Sequence, residues 1–371
     1  ARRMTRTKKV LGVLALLLIT GVAVLAVAIS RDAPCGPPVP VAPGVTTMKA
    51  IVHPCYGKAD MLRYDDVAVP QPVGRDVLVE VRAVALNPLD WHYMTGTPYI
   101  MRLESGLGRP KSDRLGVDFA GIVAAVGPGV TRFKPGDEVL GSRFGAFAEY
   151  AVVAEDRALV PKPSRLSFEQ AAAVPVAAIT ALQGLRDKGR VKAGDKVLIN
   201  GASGGVGTFA VQIAKALGAE VTGVCSTRNV ELVRSLGADH VIDYKQDDFT
   251  RGGERYDVII DNVGNHPLRA VRRVLEPDGT YVMIGGPKHD RWLGPVLGFL
   301  KAPLMSRVSS QKFEVLLAEM NAADLTVLNS MIEAGQVTPV IDRTYPLQDI
   351  PAAIGYLESQ RARGKVVAVR R

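Results

Sequence analysis

The feature that most constrains the fold of this chain is a strand, a glycine turn and a helix in direct succession. Residues 196–200 are a short apolar run typical of a buried strand, and apolar residues recur at helical spacing over 208–218. The turn between them contains Gly204, Gly205 and Gly207. In this context glycines let the backbone approach a pyrophosphate, and the helix N-terminus attracts its negative charge. The pattern predicts a dinucleotide site; a purely structural glycine turn is the alternative.

Further strand and helix segments follow the turn. The apolar runs at 220–226, 241–244, 256–264 and 280–285 indicate strands, and 229–236 indicates a helix. Strands that alternate with helices pack into a parallel sheet with helices on both faces. The sequence therefore predicts an α/β fold that contains a doubly wound, Rossmann-type domain.

The end of the second strand distinguishes the two nicotinamide cofactors. Sites for NAD usually place an acid there, about 20 residues beyond the glycines, to bind the ribose 2′-hydroxyl. This chain has Ser226, Thr227 and Arg228 instead. Hydroxyls and a guanidinium can hold a 2′-phosphate, which an acid would repel. The sequence predicts NADPH as the cofactor, held by Ser226 and Arg228; a solvated surface charge is the alternative for Arg228.

The first 47 residues differ from the rest of the chain. Residues 10–29 carry no charge and, as a helix, would rise roughly 30 Å, the hydrocarbon thickness of a bilayer. The flank 1–9 is basic, and 30–47 is proline-rich, which is typical of a stiff linker. We expect one transmembrane helix at 10–29 and a single-pass membrane location, with a cleaved signal peptide as the alternative.

The side of the membrane is left open at this point. A basic flank usually stays in the cytoplasm, which would place the folded part outside. A protein that consumes NADPH is instead expected where NADPH is made. The two arguments disagree, and the sequence does not decide between them.

Charge and cysteine content exclude other classes. Apart from its basic flank the chain is close to charge balance and has no basic stripe, so nucleic-acid binding is not expected. The three cysteines, Cys35, Cys55 and Cys225, lie far apart and in no C-x-x-C pattern. Neither a disulfide framework nor a zinc ribbon is implied.

Residues 48–371 resemble a known family. The segments 48–52, 127–130, 135–139 and 201–207 are similar to those of zinc-free medium-chain dehydrogenase/reductases of the quinone oxidoreductase branch. Longer runs at 203–209, 232–239, 241–244, 261–264 and 361–365 resemble the mitochondrial reticulon-interacting NADPH oxidoreductase group. The resemblance implies a GroES-like, β-rich substrate domain at 48–168 and a Rossmann NADPH-binding domain at 169–305. The C-terminal segment 306–371 is then expected to pack back on the substrate domain.

The resemblance also implies site residues. Beyond the glycines and Arg228, cofactor contacts are implied for Ser203, Val206, Ser226, Tyr244, Asn262, Arg361, Ala362 and Arg363. Tyr244 also ends a strand at the carboxyl edge of the sheet, where ligands bind in such folds, although a core tyrosine is the alternative. Asn87 matches an active-site asparagine that could hydrogen-bond a carbonyl oxygen. His92 stands where related quinone reductases carry tyrosine, so it is either a general acid or an ordinary loop histidine.

No metal site is expected. Zinc-bearing members carry a cysteine ligand before the lid loop and a His-Glu pair after a glycine, where this chain has Asn87 and 116–119, Gly-Val-Asp-Phe. The five histidines form no ligand pattern. Without a Lewis acid the acceptor of the NADPH hydride should already be electron-poor, as in a quinone or an α,β-unsaturated carbonyl.

Other readings stay open. One is a membrane-tethered NADPH-binding scaffold or sensor with little catalysis, and another is an alcohol dehydrogenase, which the missing zinc ligands oppose. The apolar segment 292–305 is compatible with a membrane-facing or lipid-substrate surface, but a subunit interface, as in a homodimer, or plain core is favoured. The expected partners are a small electrophilic acceptor and the lipid bilayer.

Overall fold

The computed structural model describes residues 6–37, 40–286, 291–292, 298, 302, 305–307 and 309–370, with the backbone alone for 6–13. In these ranges the helices are α1 (Arg6–Ser30), α2 (Pro88–Thr95), α3 (Arg102–Ser105), α4 (Phe168–Ala172), α5 (Pro175–Gln183), α6 (Gly205–Ala216), α7 (Val230–Ser235), α8 (Leu268–Arg273), α9 (Ala322–Glu333) and α10 (Ile350–Glu358). The strands are β1 (Thr47–Val52), β2 (Arg63–Ala68), β3 (Asp76–Leu86), β4 (Asp118–Val126), β5 (Glu138–Ser142), β6 (Tyr150–Ala154), β7 (Leu159–Pro161), β8 (Lys196–Asn200), β9 (Glu220–Cys225), β10 (His240–Asp243), β11 (Tyr256–Asp261), β12 (Leu275–Met283), β13 (Lys312–Val315), β14 (Ile341–Pro346) and β15 (Lys365–Val369).

The nucleotide domain is built on a parallel sheet. Its strand order is β10-β9-β8-β11-β12-β13, and every pairing is parallel. The central strands β8, β9 and β11 are short, mostly apolar and mostly buried, as expected where helices cover both faces. The chain runs outward from β8 to β10 and then returns to β11, so the switch point lies between β8 and β11, where ligands bind in such sheets. The predicted α/β class and doubly wound domain are confirmed.

The substrate domain is built on a mostly antiparallel sheet. Its strand order is β14-β15-β3-β4-β5-β7, with β6 also paired to β3. Large side chains of this sheet, such as Leu86 and Phe119, form a buried core with Ile51 of β1 and with Phe147, which precedes β6. This is the GroES-like, β-rich part of the predicted fold.

The C-terminal part of the chain contributes to both sheets. β13 lies at the edge of the nucleotide-domain sheet, although it follows residue 305, where the predicted domain boundary was placed. β14 and β15 lie in the substrate-domain sheet, and β15 pairs antiparallel with β3. The tail therefore bridges the two domains, which is what brings its residues to the candidate site.

The prediction of a membrane-spanning segment at 10–29, and with it a single-pass membrane location, is wrong. In the part of the chain that the structure describes, no helix combines the length and the apolar character needed to cross a membrane.

Residues 31–37, part of the predicted linker, are attached to the substrate domain. Cys35 forms a disulfide with Cys55, which the sequence did not predict. The buried guanidinium of Arg102 donates to the carbonyl oxygen of Ile29, at the end of α1, and pairs with Asp32 at 2.8 Å. A cation near the carboxyl end of a helix stabilises its last turn. We call residues 31–37 the N-terminal strap.

Candidate active site

The glycine turn closes the carboxyl end of β8 and opens α6. Gly201 has a left-handed backbone conformation (φ +79°), and Gly204 is the N-cap of α6. A Cβ atom at Gly207 would lie 2.1 Å from the carbonyl oxygen of Gly201, so only glycine fits between helix and turn. At Gly204 the nearest atom to such a Cβ lies 3.5 Å away. The outer face of the turn can therefore be approached by a ligand.

The loop after β9 lies against the glycine turn. Asn229 Nδ2 donates to Ser203 Oγ at 2.9 Å and to Ser226 Oγ at 3.2 Å. The exposed guanidinium of Arg228 donates to the carbonyl oxygen of Arg361. The structure thus brings the predicted cofactor residues Ser203, Ser226 and Arg228 together.

The loop 361–363 completes this edge of the site. Arg363 Nη2 donates to the carbonyl oxygen of Arg228 at 3.3 Å, and the N–H of Arg363 donates to Asp342 Oδ2 at 2.9 Å. Ala362 is half-buried and packs against the core of the substrate domain. Arg361 and Arg228 are 133 residues apart in the chain, yet their loops are in contact.

Tyr244 and Asn262 directly follow the carboxyl ends of β10 and β11. The N–H of Tyr244 donates to the carbonyl oxygen of Cys225, and its ring is 54% exposed. Both the N–H and Nδ2 of Asn262 donate to the carbonyl oxygen of Asn200, at 3.2 and 3.0 Å. The predicted cofactor residues therefore surround the switch point between β8 and β11, although contact with a cofactor stays a prediction.

The residues present fit a dinucleotide. The buried oxygens Asn229 Oδ1 and Asn262 Oδ1 have no hydrogen-bond partner among the described residues. Buried acceptors of this kind are normally bonded, so both are available to a ligand. The N-terminus of α6 suits a pyrophosphate, the exposed ring of Tyr244 suits an adenine, and Arg228 and Arg363 suit a phosphate.

A second polar group lies at one end of the substrate-domain sheet. Asn87 directly follows β3, Asp118 begins β4 and Lys365 begins β15. Because β4 and β15 both run antiparallel to β3, the end of β3 lies beside the beginnings of the other two. Asp90 lies three residues after Asn87, in α2, and all four side chains are buried. We call these four residues the buried cluster.

Hydrogen bonds join the members of the buried cluster. Lys365 Nζ donates to Asn87 Oδ1 at 2.6 Å and lies 3.4 Å from Asp118 Oδ2. Asn87 Nδ2 donates to the same oxygen of Asp118 at 2.9 Å, and Asp118 Oδ1 accepts from the N–H of Val176 at 3.1 Å. The N–H of Asn87 donates to Asp90 Oδ2 at 2.7 Å. The Asn87 amide is thus held at both ends, and its expected bond to an acceptor carbonyl stays a prediction.

Burial sets the acid–base character of the cluster. It raises the pKa of the Asp90 carboxyl to about 7, against the opposing effect of hydrogen bonds from the backbone of Asn87 and Gly116. Burial also raises the pKa of Asp118, while the Lys365 ammonium and the Asn87 amide oppose that rise. Asp90 therefore changes its protonation state near neutral pH.

His92 lies outside the buried cluster. It is in α2, where Nδ1 lies 2.6 Å from the carbonyl oxygen of Thr97, and its ring packs against that of Trp91. Five residues along a helix correspond to about 140° of rotation from Asn87. The general-acid role of His92 stays a prediction.

The sequence did not single out Asp90, Asp118 or Lys365 as site residues. A usable signal exists for two of them, because Asp118 and Lys365 are single charges beside the apolar runs 119–126 and 366–369. A charge at the start of a buried strand is costly unless it is paired. Within the ranges that the structure describes, no group of three or more His, Cys, Asp and Glu side chains could hold a metal ion.

Two family models match the chain. One, described as alcohol dehydrogenase GroES-like domain, matches residues 74–164, and the other, described as zinc-binding dehydrogenase, matches residues 236–367.

Individual relatives match most of the chain. This chain is 35% identical to 2-methylene-furan-3-one reductase of Solanum lycopersicum, over 86% of its own length and 78% of that protein. It is 34% identical to the mitochondrial NAD(P)H oxidoreductase RTN4IP1 of Homo sapiens, over 88% of this chain and 90% of that protein. The solved quinone oxidoreductase from Coxiella burnetii has a TM-score of 0.76 and 30% identity, and the match covers 88% of this chain and 100% of that one. The chain therefore belongs to the medium-chain dehydrogenase/reductase family, and its fold and relatives support an oxidoreductase with a nicotinamide cofactor.

Proposed function

We propose that this oxidoreductase uses NADPH to reduce a quinone or an α,β-unsaturated carbonyl compound without a metal ion. The observation that carries the proposal is that the cofactor residues and the buried cluster meet in one place. The N–H of Gly364 donates to the carbonyl oxygen of Ser203 at 2.9 Å, and the next residue, Lys365, reaches Asn87. This connection between the glycine turn and the buried cluster supports the proposal that both belong to a single interdomain site.

The charges around Ser226 support NADPH as the cofactor. Arg228 and Arg363 lie together at this edge, and two guanidinium groups favour a 2′-phosphate. The acid on the neighbouring strand is Asp243, whose carboxylate accepts a hydrogen bond from Thr227 Oγ1 at 2.6 Å. Because that carboxylate is occupied by protein donors, it is a poor partner for a ribose 2′-hydroxyl.

The donor set of the buried cluster supports an electron-poor acceptor. The reduced nicotinamide supplies a hydride, and the chain supplies binding and orientation. Asn87, which stands where zinc-bearing members have a ligand, is held by Lys365 and Asp118. An amide is a weaker electrophile than a metal ion, so catalysis rests mainly on holding the acceptor in reactive geometry. The names of relatives include reductases of both acceptor types, an alkenal/one oxidoreductase and quinone oxidoreductases.

A substrate panel with the purified chain tests this proposal. We expect NADPH oxidation with quinones and enones and little with the matching saturated ketones, measured as loss of reduced-nicotinamide absorbance. Comparable kcat/KM values for saturated ketones or alcohols would refute the acceptor class. NADPH binding without turnover on any member of the panel would favour a sensor over an enzyme.

A further inference from the structure

Two consecutive residues of the C-terminal segment, Gly364 and Lys365, contact the glycine turn and the buried cluster. Gly364 forms an isolated bridge with Gly204, the N-cap of α6, and its N–H donates to the carbonyl oxygen of Ser203. Lys365 follows immediately and points the other way, into the buried cluster. A Cβ at Gly205 would lie 3.1 Å from Lys365 Cδ, so the stem of the lysine packs directly on the first residue of α6. One dipeptide therefore contacts both halves of the proposed site.

The ammonium group of Lys365 fixes the orientation of the Asn87 amide. Asn87 Oδ1 accepts from Lys365 Nζ, while Asn87 Nδ2 donates to Asp118. The cation can only donate and the carboxylate can only accept, so the amide has one favourable orientation. Without Lys365, Asn87 Oδ1 would lose its charge-assisted bond, and the amide would be held only through Nδ2.

From this geometry, and resting on the proposed function, we propose that Lys365 is a positioning residue. It couples the glycine turn to Asn87. Cofactor bound on the turn 203–207 stabilises the contact of Gly364 with Ser203. That contact holds the stem of Lys365, and its ammonium holds Asn87. The residue touches neither cofactor nor acceptor, and its effect reaches the reaction through the Asn87 amide.

A purely structural role for Lys365 gives a different expectation. If its only task were to neutralise buried Asp118, replacing both residues with neutral ones would restore stability and activity together. Replacement of a buried ion pair by neutral groups is often tolerated, whereas removal of one partner leaves an unpaired buried charge. The informative comparison is therefore Asp118→Asn with and without Lys365→Met, because both variants lack the carboxylate.

The experiment measures folding, binding and turnover in these two variants. We expect both to fold, with Asp118→Asn alone having the lower thermal midpoint because it leaves the buried Lys365 ammonium without its carboxylate. Both should bind NADPH with similar Kd, because the Gly364 backbone contact remains. The variant that also lacks Lys365 should have kcat lower by a factor on the order of 10 to 100, which is the effect of misplacing a site group by about 1 Å. Equal kcat in the two variants would overturn the proposal. If the variant with methionine does not fold, Lys365→Gln in the Asp118→Asn background takes its place. The glutamine side chain keeps a polar end group but is about one bond too short to reach Asn87.

Hydrogen exchange provides a readout that does not depend on turnover. In the wild type and in Asp118→Asn, NADPH should slow exchange at the N–H groups of Asn87 and Asp90, which bond within the first turn of α2. In the variant that also lacks Lys365, the slowing should be lost while NADPH still binds. Persistent slowing there would overturn the coupling, even if no acceptor in the panel is reduced. Absence of turnover in the wild type would count against the proposed function alone.

Discussion

Asn229 Nδ2 donates to Ser203 Oγ at 2.9 Å and so joins two cofactor loops that are 26 residues apart in the chain. The same amide also donates to Ser226. Its oxygen, Oδ1, is buried and lacks a partner among the described residues. The loops after β8 and β9 are therefore held together by protein contacts, so the proposed cofactor site needs no ligand to join these two loops.

Loss of the guanidinium at position 228 should weaken NADPH binding selectively. Arg228→Ala removes a charge-assisted contact to a 2′-phosphate, worth about 1.5–3 kcal/mol, or roughly 10- to 150-fold in affinity. NADH, which lacks that phosphate, should bind about equally to both proteins. Titration of each cofactor measures this, with the exposed Arg255→Ala as the control. Equal wild-type affinity for NADPH and NADH would contradict the assignment.

Alanine substitutions at Gly207 and Gly204 should affect different properties: the first should impair folding, and the second should impair NADPH binding. At Gly207 the new methyl would lie 2.1 Å from the Gly201 carbonyl oxygen, so we expect severe destabilisation. At Gly204 the nearest atom is 3.5 Å away, so the protein should fold, but the methyl would occupy the face that a pyrophosphate approaches. Thermal midpoint and NADPH titration separate the two. Unchanged NADPH affinity in Gly204→Ala would place the pyrophosphate elsewhere.

Activity should not depend on zinc. One matching family model is described as zinc-binding, but Asn87 and 116–119 lack the ligands that the family uses. NADPH oxidation should therefore survive treatment with a strong chelator, and elemental analysis should find less than stoichiometric zinc. Activity that is lost on chelation and returns with added Zn²⁺ would show that a metal takes part.

Asp90 should make the protein less stable as the pH rises toward neutrality. Its pKa is about 7 in the folded protein and 3.8 in a solvated side chain, so between these values only the folded state keeps the proton. Its contribution is complete below about pH 4 and declines by up to about 1.4 kcal/mol per pH unit toward pH 7. In urea unfolding between about pH 5 and 7, Asp90→Asn should show a shallower decline than wild type. Exposed Asp60→Asn should retain the wild-type slope, and a shared slope for all three proteins would argue against this assignment.

Reduction of the Cys35–Cys55 disulfide should lower the free energy of unfolding. The bond closes a loop with a sequence separation of 20, for which chain entropy predicts about 3 kcal/mol. A dithiol reductant should therefore shift the unfolding midpoint of the wild type but not that of Cys55→Ser. If the reductant shifts both proteins equally, the effect does not come from this disulfide.

Local pattern was sufficient for strands β8 to β12 of the nucleotide domain, but not for β13. The run 196–200 and the helical spacing of 208–218 correspond to β8 and α6, because strand and helix periods are visible within a few residues. The buried cluster has no such signature. Lys365 and Asn87 are 278 residues apart, and their contact depends on the antiparallel register of β15 with β3. Pairings between distant segments leave only weak traces in a single sequence, such as one charge next to an apolar run.

The N-terminal strap determines which products result from proteolytic cleavage of this chain. Residues 42–46 form an exposed loop segment, and such segments are preferred sites of proteolysis. A cut there breaks the peptide backbone but leaves α1 covalently attached through the bond between Cys35 and Cys55. The two fragments would migrate as one species without a thiol and as two with it. Separation of α1 from the catalytic domains is therefore controlled by the redox state of the surroundings as well as by proteases.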